Sequence, residues 1–350
     1  MSQHNTPTSL KRRLLTGLLT GALLSTSAVA FAQDDPDYVP DEDILAQGDK
    51  SEDGWDFTLS IGATVNVSQN DSVVGQPDGT SITLGSKFNF GADYNKGGHE
   101  VRSRLDIANT FTQTPVVDEF VRTNDLMTLE TIYYYHFESV PWFGPFARLN
   151  LQTSIFQGED VQAETKDYII RGADGTVENI TADRLKLTDP LQPLTLKESA
   201  GFFARPLDHR WLSIEFRIGL GAQQIFADGG LAINDNGDTA EIEVDRLVDS
   251  SQAGAEAALT ATGAAFGKRV TYKAGAESLT PFFSSSDADT DKSAVDLTNV
   301  TVYAQLSFKL VSWASLDYEF KAIRQPVLLD EFQIQNNLLL TFGYTLLGDE

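Results

Sequence analysis

From Trp55 onward, apolar and polar residues alternate with a period of two, and this constrains the fold more than any other feature of the chain. Trp55, Phe57, Leu59, Ile61, Ala63, Val65 and Val67 interleave with Asp56, Thr58, Ser60, Gly62, Thr64 and Asn66. A helix carrying that pattern has no continuous apolar face, whereas a strand shows one face of each kind. The same reading recurs over 82–94, 101–111, 127–137, 147–155, 194–204, 212–222, 270–276, 300–310, 316–322 and 338–346, with an alanine-rich, weaker segment at 253–261. The pattern predicts about twelve strands of the ~9–11 residues that cross a bilayer at a tilt.

Loop lengths separate a membrane barrel from a sandwich. The connections at 95–98, 138–145, 206–210, 267–268 and 311–313 are short, and those at 69–80, 113–125, 157–193, 227–251, 283–299 and 324–333 are longer. Strict alternation with an even strand number is what a barrel produces, because one rim meets the periplasm and the other the outside. A soluble sandwich has no reason to segregate its loops this way. The expected class is all-β, a transmembrane antiparallel up-and-down β-barrel over 55–347 in the cell outer membrane. A closed sheet also satisfies every backbone group inside the hydrocarbon.

The start of the chain fits export. Lys11, Arg12 and Arg13 precede an apolar stretch from Leu14 to Leu24, and Ala30-Phe31-Ala32 supplies a small-x-small cleavage pattern, so 1–32 reads as a signal peptide. Arg12-Arg13 invites a twin-arginine reading, but its surroundings fit a plain basic n-region better. Residues 33–54 are acid-rich with two prolines, and read as a flexible periplasmic tail. Cleavage removes three cations and no acid, taking the formal charge from −24 to −27. That excludes a nucleic-acid partner, which needs a basic face. With no cysteine in the chain, disulfides, thiolate ligands and a cysteine nucleophile are excluded too.

The inward phase of the strands is charged in both signs: Lys87, Arg102, Arg104, Asp106, Glu130, Arg148, Lys197, Glu215, Arg217, Glu256, Lys273, Glu277, Lys309, Asp317, Glu319 and Lys321. Expected cross-strand pairs are Glu130 with Arg148, Lys197 with Glu215, Glu256 with Lys273 and Lys309 with Glu319. Such a lining fits either a salt-bridged, filled lumen or an ion-lined aqueous pore. Glu198 falls on the apolar phase, where a midplane charge costs a few kcal/mol, so a bulge near Ser199-Ala200-Gly201 is expected to turn it inward. Trp55, Tyr94, Tyr133, Tyr135, Trp142, Phe143, Trp211, Trp313 and Tyr344 are expected at the membrane interfaces, with the three tryptophans of the short turns forming a periplasmic girdle.

No catalytic residue is expected. After cleavage only His99, His136 and His209 remain, and none has a serine placed beside it on the outer wall, as lipid hydrolysis requires. No cofactor is expected. Asp287, Asp289 and Asp291 copy the opening spacing of a calcium loop, but the sixth position is Lys292 and Thr298 stands where the bidentate Glu belongs. Solvated acidic loops are the preferred reading, with divalent cations bridging loops to lipid headgroups as the weaker one. Outer-membrane lipid and the barrel-assembly machinery are the expected partners, the latter because Phe342, Tyr344 and Leu346 end the chain on an alternating apolar strand.

Strands two to five carry a resemblance. FNFGADYNKGGHEVRSRLDIANTFTQT (88–114), VRTNDLMTLETIYYYH (121–136) and FARLNLQTSIF (146–156) resemble the outer-membrane barrels of domain-of-unknown-function family 3078, with looser wording in the later half. The resemblance implies the barrel fold and no particular chemistry. The function expected first is a narrow channel or transporter for small solutes. A structural or surface-interaction barrel with a filled lumen is second, and an outer-membrane hydrolase is third.

Overall fold

The computed structural model describes residues 53–70, 79–172, 174–235, 239–285, 293–326 and 329–347. The segment read as a signal peptide, most of the acidic segment that follows it and the three aspartates Asp287, Asp289 and Asp291 lie outside the described residues. The described strands are β1 (Gly54–Asn70), β2 (Gly79–Lys96), β3 (His99–Gln113), β4 (Val121–Tyr135), β5 (Phe143–Thr153), β6 (Gly158–Arg171), β7 (Val177–Thr188) and β8 (Leu194–His209). They continue as β9 (Leu212–Phe226), β10 (Leu231–Ile233), β11 (Ile242–Arg246), β12 (Ser250–Ala265), β13 (Val270–Ser284), β14 (Asn299–Val311), β15 (Ala314–Gln325) and β16 (Leu329–Leu347).

Twelve of these close a barrel in the order β1-β16-β15-β14-β13-β12-β9-β8-β5-β4-β3-β2, every pair antiparallel. The ring is sealed where Leu59 to Val65 of β1 pair with Leu347 to Leu340 of β16. The first hairpin shows how local chemistry sets this register. Gly97 and Gly98 lie at φ 56° and 83°, the two successive positive values that a tight hairpin turn needs and that glycine adopts without strain.

Two of the long connections are more than loops. Residues read from sequence as the loops 157–193 and 227–251 build a four-stranded sheet, ordered β10-β11-β6-β7, in which β11 runs parallel to β6. It has its own core: Tyr168, Ile170, Leu185, Leu231 and Val244 are buried together. Bulges in β6 at Gly158/Glu159 and Val161/Lys166 interrupt the alternation that would have marked it as a strand. The last long connection is also shorter than expected, since β15 runs to Gln325 and β16 begins at Leu329.

The candidate functional site is the barrel lumen

Cross-strand register fixes which residues face in. Trp55, Tyr94 and Val101 share one outward row, as do Phe57 and Ala92, then Leu59, Phe90, Leu105, Leu129 and Leu151. Exposed Ile218, Leu220 and Phe216 of β9 continue this apolar wall. The alternate positions therefore face the lumen. Lys87, Arg102, Arg104, Asp106, Glu130, Arg148, Lys197, Glu215, Arg217, Glu256, Lys273 and Glu319 all stand on that inward phase. Lys309 sits at the short-turn rim and is exposed there, where the register shifts before Val311.

Six of these charges, Arg102, Glu130, Arg148, Glu215, Arg217 and Glu256, join one lattice. Arg148 holds Glu130 and donates to Glu277 at 3.2 Å, four places away around the ring. Arg217 bridges Glu277 at 3.1 Å and Glu215 at 3.6 Å. Arg205 joins Glu215 at 2.8 Å to Glu100 at 3.3 Å, and Glu100 also holds Arg102 and, at 2.6 Å, His136. The Tyr134 hydroxyl donates to Glu215 at 2.8 Å. Arg104 forms a bidentate pair with Asp93 at 2.8 and 2.6 Å. On the opposite flank Lys87 reaches Glu319 at 3.5 Å, between β2 and β15. Of the four expected pairs only Glu130–Arg148 forms as expected. Lys197 lies opposite Gln223, Glu256 opposite Leu279, and Glu319 opposite Gln305, so register separates the other three.

Among these charges Ile132, Tyr134, Phe146 and Phe203 are buried together on the inward phase. Phe203 meets Tyr134 edge-on at 4.7 Å, and Arg205 lies 5.3 Å over the Tyr134 ring. Sequence reading missed Glu100, Arg205 and this aromatic cluster. The alternation places these strand ends at Val101 and Ala204, whereas β3 begins at His99 and β8 runs on past Pro206 to His209. Extending the alternation by two residues at each end would have found both charges. The aromatics escaped because the inward phase was read as polar only.

Ile132 and Tyr134 also line a cavity whose lining comes entirely from barrel strands, so the segment 157–193 contributes nothing to it. Six cationic side chains (Arg102, Arg104, Arg148, Arg205, Arg217, Lys273) and four carboxylates (Asp106, Glu130, Glu215, Glu277) face it, with Thr128, Thr260 and Tyr303 among the neutral groups. The Tyr303 ring lies flat over the wall because residue 275 is glycine: a Cβ there would stand 2.4 Å from the phenol oxygen.

The outer surface has its own correction. Glu198 does not turn inward; it occupies the row of Leu149, Ala222 and Ala253, and the bulge of β8 falls at Ala204/Leu207 instead. Its height explains why the charge is tolerated. Ala222, opposite it, is ten residues above Leu212, or roughly 25 Å at ~3.3 Å per residue and a ~40° tilt. That is the height of the apolar band itself, so the carboxylate reaches headgroup level. The aromatics Trp55, Tyr94, Tyr135, Trp142, Trp211, Trp313 and Tyr344 all gather toward the short-turn rim, with Trp142, Trp211 and Trp313 half exposed in or beside the turns. At the other rim the exposed rings are phenylalanines, among them Phe226, Phe282 and Phe283.

The histidines are engaged elsewhere. Both ring nitrogens of His136 are used, Nδ1 against the Pro141 carbonyl at 2.5 Å and Nε2 against Glu100. His99 Nδ1 lies 2.8 Å from the Tyr133 hydroxyl. Of the acids in 227–251, Glu243 pairs with Arg171 and Asp245 accepts from Asn234 at 2.7 Å, so they are partly committed to the four-stranded sheet.

A closed antiparallel barrel of even strand number, apolar outside and charged within, is the architecture of bacterial outer-membrane proteins. The chain is a protein of that class and of that membrane. No family model matches the sequence. No curated relative matches it either. Among solved structures, the chain is similar to the translocator domain of an autotransporter from Neisseria meningitidis at 8% identity, covering 87% of this chain and 92% of that one, with a TM-score of 0.38. It is similar to an outer-membrane channel from Pseudomonas putida F1 at 10% identity, covering 89% and 99%, with a TM-score of 0.37. Likenesses this distant carry no argument about what the barrel moves or binds.

Proposed function

We propose that this barrel is a narrow outer-membrane channel for small solutes, throttled at mid-height by its arginine–glutamate lattice. The observation that carries this reading is the cavity, two of whose four carboxylates stay in contact with lumen solvent. The side chains of Glu130 and Glu277 keep 24% and 19% exposure although both are enclosed by the wall. A lattice built to seal the lumen would bury both partners of each pair, because desolvated charge is costly unless fully matched. Planar-bilayer recording of the refolded mature chain tests this. Small discrete conductance steps support the channel. Silence from a barrel shown to be folded by heat-shifted gel mobility sinks it.

A second reading, a non-conducting barrel with a filled lumen, is favoured by the packed cluster of Tyr134, Phe146 and Phe203. These rings fill part of the lumen on one flank, where Tyr134 also lines the cavity. We also propose kinship with domain-of-unknown-function family 3078 on the resemblance carried by 88–156, which fits either reading.

A further inference from the structure

On the cavity lining some buried polar atoms lack a hydrogen-bond partner, and one of them is a permanently charged donor. Arg217 is 7% exposed, and two of its nitrogens face carboxylates: Nε is 3.6 Å from Glu215 and Nη2 donates to Glu277 at 3.1 Å. Its third nitrogen, Nη1, is buried without a hydrogen-bond acceptor. A guanidinium is donor-only and stays charged, so neither rotation of a proton nor its loss relieves this. The Thr128 hydroxyl, 3% exposed, is a second buried orphan on the same lining. Arg148 and Lys273 face the same space. The nearby carboxylates Glu215 and Glu277 are already turned onto arginines. The lining as a whole carries six cationic side chains against four carboxylates, so an anion is the charge it is short of.

We infer that the cavity is a binding site for a small oxyanion-bearing solute, a carboxylate or phosphate of metabolite size, with Arg217 as its anchor. The inference rests on the channel reading and names the class of solute that passes. The excess acid of the chain, formally −24, does not argue against it. Exposed loop charges more than a Debye length of ~8–10 Å away are largely screened, whereas charges inside the wall are screened much less. A planar guanidinium edge also matches the two oxygens of a carboxylate or phosphate, which a lone water does not.

The test uses the refolded mature barrel in planar bilayers under a potassium chloride gradient, with succinate or inorganic phosphate added at millimolar concentration. The wild type is expected to show an anion-selective reversal potential and to be blocked by at least one of the two probes. Which one blocks separates a carboxylate from a phosphate site. Arg217→Lys keeps the charge and loses the fork, so the block, measured as a fraction of each protein's own unblocked conductance, should weaken by at least about tenfold. A cation-selective wild type, or a block unchanged in Arg217→Lys, overturns the inference and leaves the channel standing. A folded barrel that never conducts overturns the channel instead. The site is then judged by calorimetric titration of both probes into the detergent-folded protein. Heat lost in Arg217→Lys sustains the site, and no heat in the wild type, meaning that Nη1 meets water alone, removes it.

Discussion

The barrel wall and the small sheet of β6, β7, β10 and β11 are built from the same element and solve opposite problems. The sheet is an ordinary water-soluble solution: apolar Tyr168, Ile170, Leu185, Leu231 and Val244 go inside, and charged residues such as Arg184 and Glu178 go out. The barrel inverts it, with isoleucine and leucine outside against lipid and arginine and glutamate inside. The comparison teaches that burial here is defined by the solvent on each side. In the sheet, stability resides in apolar packing. In the barrel interior it resides in a polar lattice whose buried members must be matched, because a charge turned away from the lumen water is costly when unpaired.

If that contrast is right, the largest effect follows from breaking the lattice. Arg148→Met leaves Glu130 and Glu277 facing each other and should cost about 3–5 kcal/mol, nearer the lower figure because both acids keep some lumen contact. Urea midpoints in lipid vesicles measure it, and adding Glu130→Gln should recover part of the loss. Next comes the outer wall. Ile218 lies on the lipid face six residues above Leu212, near mid-band, so Ile218→Arg should cost about 2–4 kcal/mol in the same assay.

The sheet should respond separately. Tyr168 donates to Asp160 at 2.8 Å, and Tyr168→Phe leaves that buried carboxylate short of a donor, at a cost of about 1–3 kcal/mol. The change should appear as faster proteolysis within 158–188 while the heat-shifted mobility of the barrel stays put. Burial, together with the bond to Asp160, holds the Tyr168 phenol above its usual range. A raised folded value favours the neutral phenol, so this contribution is complete below about pH 10 and is lost as pH climbs above it. Proteolysis of the sheet should therefore quicken above pH 10, and Tyr168→Phe should abolish that dependence. The smallest effect belongs to Glu198→Gln, expected to shift barrel stability by less than about 1 kcal/mol because the carboxylate sits at headgroup height. A shift of several kcal/mol would place it at mid-band and break the assignment of depth.

How much of this was legible follows from the same contrast. The wall was readable because each long strand pairs with its ring neighbours and must keep one apolar face, so a period of two survives through Leu59–Val67 or Leu212–Leu220. The sheet was not readable. β6 pairs in parallel with β11, about seventy residues away, and its bulges break the period before Tyr168. In the lumen, alternation identified which residues face in and left their partners open. Glu130–Arg148 is a nearest-neighbour contact and was expected. Arg148–Glu277 and Arg205–Glu100 cross the lumen, and no local pattern encodes a contact between strands three or four places apart in the ring. Glu198 was misplaced because its phase was read correctly and its height was not.

The absence of cysteine makes the central claim directly testable by thiol labelling in intact outer membranes. Thr260→Cys places a thiol on the cavity lining, and Ile218→Cys places one on the lipid face. A small, water-soluble, negatively charged thiosulfonate is predicted to modify Cys at 260 and to leave Cys at 218 untouched. Modification of neither, in a barrel folded by its gel mobility, would mean a sealed lumen and contradict the channel. Modification at 218 alone would contradict the assignment of inner and outer faces on which the whole account depends.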